Sequence, residues 1–67
     1  MLKLRDLTVP EINKYIELCN FTDDELQMFK LKVKDKSNIQ IMHAMKISES
    51  QVSKLMRRIR TKMKKIS

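Results

Sequence analysis

Ser37-Asn38-Ile39-Gln40-Ile41-Met42-His43-Ala44-Met45-Lys46-Ile47-Ser48-Glu49-Ser50-Gln51-Val52-Ser53-Lys54-Leu55-Met56-Arg57-Arg58-Ile59-Arg60-Thr61-Lys62-Met63-Lys64-Lys65 decides the fold. It reads as a short helix, a tight turn at Met45-Lys46-Ile47-Ser48, and a longer helix loaded with Lys and Arg. Ser48-Glu49-Ser50-Gln51 fits a capping box: the Ser48 hydroxyl can accept from the Gln51 N–H while the Gln51 side chain reaches back to the Ser48 N–H. Ile47 before the cap and Val52 at the fourth helical position can pack as a hydrophobic staple. These features set where the last helix begins and the angle at which the chain enters it.

The same punctuation recurs upstream. Thr8-Val9-Pro10-Glu11, Thr22-Asp23-Asp24-Glu25 and Ser37-Asn38-Ile39-Gln40 also fit the capping-box pattern, and Leu7 with Ile12 and Phe21 with Leu26 repeat the staple. Glycine is absent and Pro10 is the single proline, so the tight turns of a hairpin-built sheet have no suitable residues. The reading is an all-α, four-helix domain with a helix-turn-helix at about 38–65. The first helix spans about 9–19, with Ile12, Tyr15, Ile16 and Cys19 on one face. The second spans about 23–33 with Leu26, Phe29 and Val33 inward, and Asp23, Asp24 and Glu25 favourably placed at its positive end. The third spans about 38–45 with Ile41, Met42 and Met45 inward. The fourth spans about 49–65, its stripe formed by Val52, Leu55, Met56, Ile59, Met63 and Ile66.

A chain of 67 residues holds one domain, 1–67, with a small core. Its one cysteine, Cys19, rules out an internal disulfide and reads as a buried small hydrophobe; most methionines read as core filler. No Cys/His cluster has zinc spacing, and no glycine loop can cradle a phosphate, so no metal and no cofactor is expected. His43, the only histidine, has no Ser, Cys or carboxylate pattern around it and reads as a surface or rim residue, so no enzyme is expected. No apolar run approaches a membrane span and no signal-peptide core is visible, which points to a cytoplasmic setting without a membrane partner. Surface binding by the fourth helix is disfavoured, because its stripe lacks Trp and Phe and is needed for the core.

The net charge of +7 is one-sided. Residues 1–35 carry seven acids and six bases, whereas residues 36–67 carry nine bases and only Glu49 as an acid. A basic second half on a near-neutral first half implies a polyanion footprint on one side of the domain. Combined with a two-helix motif ending in a basic helix, it implies a reader of double-stranded DNA.

Residues 21–66, about two-thirds of the chain, resemble the helix-turn-helix shared by region 4 of sigma-70 family factors and the LuxR/GerE-type regulators. The resemblance is carried by Phe21-Thr22-Asp23-Asp24-Glu25-Leu26, by Ser37-Asn38-Ile39-Gln40-Ile41, by Ile47-Ser48-Glu49-Ser50-Gln51-Val52 and by Ile59-Arg60-Thr61-Lys62-Met63. The helix at 8–19 is more like the first helix of region 4, and the further helix that follows the reader in LuxR-type domains, usually a dimer contact, is not expected here. Two positions depart from the pattern. Met42 stands where a small residue is expected, and Lys46 stands where Gly is common, implying a positive φ at a residue with a Cβ.

The resemblance implies a transcription regulator whose fourth helix is the reader. Ser50, Gln51, Ser53, Lys54, Arg57 and Arg58 point away from the apolar stripe: Lys54, Arg57 and Arg58 suit guanine O6/N7, and Gln51 suits adenine. Ser48, Ser50 and the first N–H groups of the helix suit a phosphate. Lys36, Ser37, Asn38 and Lys46 are expected beside the DNA backbone, and Arg60, Lys62, Lys64 and Lys65 add phosphate attraction. The partners implied are double-stranded DNA, a homodimer mate or RNA polymerase. An alternative is a small docking module that regulates transcription by binding RNA polymerase or another regulator through the acid-rich first two helices.

Overall fold

The computed structural model describes residues 4–66. A 3-10 turn, Leu4–Asp6, precedes four helices: α1 (Val9–Leu18), α2 (Asp23–Val33), α3 (Asn38–Met45) and α4 (Glu49–Ile66). There is no strand among the described residues. The expected bounds hold to within a residue; Cys19 is the cap of α1 rather than its last turn.

The caps explain the bounds. Thr8, Thr22 and Ser37 each hold an extended backbone and close a complete capping box with Glu11, Glu25 and Gln40. The fourth box differs from expectation. The Gln51 N–H donates to Ser48 Oγ at 3.4 Å, but among the described residues the Gln51 side chain makes no return bond to the Ser48 N–H. The side chain of Gln51 therefore stays turned to solvent.

With no glycine available, other residues take the left-handed conformation at the three helix ends: Asn20 (φ 54), Asp35 (φ 62) and Lys46 (φ 56). Asn and Asp tolerate it well, while Lys bears the steric cost. After α2, the Asp35 N–H reaches the Lys32 carbonyl at 2.9 Å and the Lys36 N–H reaches Leu31 at 3.1 Å, the paired bonds of a Schellman motif. After α3, the turn at Lys46 lets the Lys46 and Ile47 N–H groups share the Met42 carbonyl. That turn aims α4.

One core lies between α2, α3, α4 and the 3-10 turn. Met28, Phe29, Ile41 and Ile59 are wholly enclosed, with Leu4, Leu7, Val52 and Leu55 buried around them. Phe29 stacks tilted on Phe21 at 5.0 Å and edge-on to Tyr15 at 6.4 Å, which ties α1 and its following loop to α2. The inward face of α2 includes Glu25 and Met28 beside the expected Phe29. Glu25, Met28 and Phe29 are buried, whereas Leu26 and Val33 are only half-buried. Of the methionines, Met28 is core; Met42, Met45, Met56 and Met63 fill gaps at its rim. Cys19 is buried and His43 exposed, as expected.

Candidate nucleic-acid interface

At about 100° per residue, the buried Val52, Leu55 and Ile59 place Ser50, Lys54, Arg57 and Thr61 on the opposite side of α4. All four are exposed, and so are Gln51, Ser53 and Arg58 on the two flanks. The buried stripe anchors the helix on α2 and α3, so these side chains stand on a fixed platform. Thr61 Oγ1 donates back to the Arg57 carbonyl at 2.9 Å, a local side-chain-to-backbone bond within α4. Ser48, Lys46, Lys36, Ser37 and Asn38 are also exposed. The Lys32 ammonium donates to Asn38 Oδ1 at 2.9 Å, holding the Asn38 side chain at the start of α3.

The flanks of α4 differ. Ser53 and Arg60 border the side facing the end of α2, where Lys32 and Lys36 lie. Gln51, Arg58 and Lys62 border the other side, toward the start of α2. There Lys62, expected to add phosphate attraction, also has partners within the protein. Its ammonium pairs with the carboxylate of Glu25 and also donates to the Asn20 carbonyl at 3.4 Å. Burial pushes the Glu25 carboxyl up, but the Lys62 hydrogen bond, the Thr22 N–H and the charges of Lys62 and Arg58 outweigh it and hold the group below its ordinary value. Glu25 thus stays ionised, and Lys62 is engaged inside the protein.

Burial pushes the Cys19 thiol up, only partly offset by Lys62, so it is no ready nucleophile. No group of His, Cys, Asp and Glu among the described residues could hold a metal ion. No described helix is long and apolar enough to cross a membrane.

Two features escaped the sequence reading: the burial of Glu25, and a cationic hollow shared by Arg5, Lys32, Lys36 and Arg60. The first had a signal, since Glu25 sits one turn before Met28 and Phe29 on the same stripe. The second had none, because Arg5 meets Asp35 across a separation of 30 residues.

A short helix crossing a longer basic one through a left-handed turn defines a helix-turn-helix domain, an architecture built for DNA. The family model of bacterial regulatory proteins of the luxR family matches residues 19–67, and the chain belongs to that family. It is accordingly a DNA-binding domain of transcription regulators, a regulatory rather than an enzymatic class. Of the two resemblances, the match is to the LuxR type, and α1 lies ahead of the matched residues. No curated protein and no solved structure matches the chain.

Proposed function

We propose that this domain binds double-stranded DNA sequence-specifically, with the N-terminal half of α4 in the major groove. The observation that carries the reading is the division of α4. Val52, Leu55 and Ile59 are buried, while Ser50, Gln51, Ser53, Lys54, Arg57 and Arg58 are all exposed. Lys54 and Arg57 are assigned to guanine, Gln51 to adenine, and Arg58 to the flank of the same groove. Ser48, Ser50 and the first amides of α4 hold a phosphate, and Lys36, Ser37, Asn38, Lys46 and Arg60 follow the backbone. Lys62 is left out of this set because Glu25 holds it.

A lone reader helix binds weakly, so tight binding calls for a second copy or for RNA polymerase beside it on the DNA. The alternative, docking through the acid-rich first two helices, finds less support from apolar surface on α1. Val9 and Leu18 are exposed, but nine residues apart on a helix they point about 180° from each other and form no common patch. Selection from a pool of random duplexes tests the reading. Enrichment of a fixed short motif is expected; salt-dependent binding without any enrichment contradicts sequence-specific reading.

A further inference from the structure

Beside the reading face lies a hollow of about 200 Å³. Arg5 enters it from the 3-10 turn, Lys32, Asp35 and Lys36 from the end of α2, and Met56 and Arg60 from α4. Arg5, Lys32, Lys36 and Arg60 thus line it with one acid, Asp35, around a space with room for several water molecules. Arg5 is steered there by Asp35, its Nη1 lying 3.2 Å from one carboxylate oxygen and 3.5 Å from the other. Asp35 is itself placed by the left-handed helix end it forms. Met56 and Arg60 also line the groove that runs along α4 past Ser53 and Arg57, so the hollow is continuous with the reading face.

We propose that this hollow binds a phosphate group, and that in the DNA complex the group is a backbone phosphate flanking the bases that α4 reads. The second half of this rests on the proposed function. Arg5 lies outside the family-matched residues, and its fork of five donors can hold the Asp35 carboxylate and a phosphate oxygen together. Asp35 opposes the anion, so its charge weakens the site that its turn helps to build.

Fluorescence anisotropy of a labelled duplex across a salt series, with Arg5→Gln and Asp35→Asn, tests this. Both positions are exposed, and Asn keeps the left-handed turn, so unchanged thermal melts are expected to confirm the fold. Arg5→Gln is expected to flatten the slope of log affinity against log salt by about 0.9, equally for selected and scrambled sequences, and Asp35→Asn to tighten both. Inorganic phosphate titrated into isotope-labelled protein reads the other source. Amide shifts confined to Arg5, Lys32 and Lys36 with an unaltered DNA slope assign the hollow to a free phosphate anion. An unaltered slope together with no shifts overturns the proposal. A wild-type chain that binds no duplex defeats the proposed function instead, and the phosphate titration still decides the hollow.

Discussion

The carboxylate of Glu25 and the ammonium of Lys62 meet between the start of α2 and the far half of α4, with Glu25 2% exposed and Lys62 31% exposed. The pair fixes the end of the basic helix that leads away from the reading face. Lys62→Met leaves a buried carboxylate without its cation and is expected to cost about 3 kcal/mol, the low end for a broken buried pair, since Lys62 keeps some water. Glu25→Gln added to Lys62→Met is expected to recover part of the loss. Urea melts of the wild type and the two variants check this; a Lys62→Met cost below about 0.5 kcal/mol would mark the pair as an ordinary surface one.

The same pair sets a pH dependence. The Glu25 carboxyl is held below its ordinary value of 4.5, so its contribution is complete above that value and is lost as pH falls through the lower folded one. Denaturant midpoints followed from about pH 7 down to about pH 3 are expected to fall more steeply for the wild type than for Glu25→Gln. Parallel curves would mean that the ion pair contributes nothing to the acid transition.

Lys46 stores strain where the turn aims α4. A left-handed non-glycine residue costs roughly 1–2 kcal/mol, so Lys46→Gly is expected to stabilise the fold by about 1 kcal/mol after the added chain entropy, and Lys46→Asn by a similar amount. Stability is the readout, since the lost charge also weakens DNA binding. A destabilised Lys46→Gly would show that the residue is not held at φ 56 in solution.

Val52 is 2% exposed between the two helices of the motif. Val52→Asp places an unpaired charge there and is expected to abolish the cooperative melt, because a domain this small holds only roughly 3–5 kcal/mol in reserve. A retained sharp thermal transition by circular dichroism would contradict the packing of α4.

Local signals were legible in the sequence and distant ones were not. Thr8, Thr22, Ser37 and Ser48 announced all four helices because a cap acts within three residues, and the positive φ of Lys46 followed from the resemblance, in which Gly is common at that position. The α4 stripe was legible because one face repeats over many turns. The burial of Glu25 on α2 was missed because it looked like a solvated capping acid, and its pairing with a lysine 37 residues away, beside the Thr22 N–H, makes that burial tolerable. The pairing of Lys62 with Glu25 was illegible for the same reason. The outward residues of α4 follow from the stripe by geometry, whereas the hollow needs Arg5 and Asp35 brought together by the fold.

The most direct test of the central claim, that the outward face of α4 reads bases, is anisotropy of wild type and Arg57→Ala on a selected duplex and on its scrambled counterpart. Arg57→Ala is expected to lose about 1–3 kcal/mol on the selected site and distinctly less on the scrambled one. Equal losses on both, or none, would contradict the account by reducing Arg57 to a general phosphate contact or to a bystander.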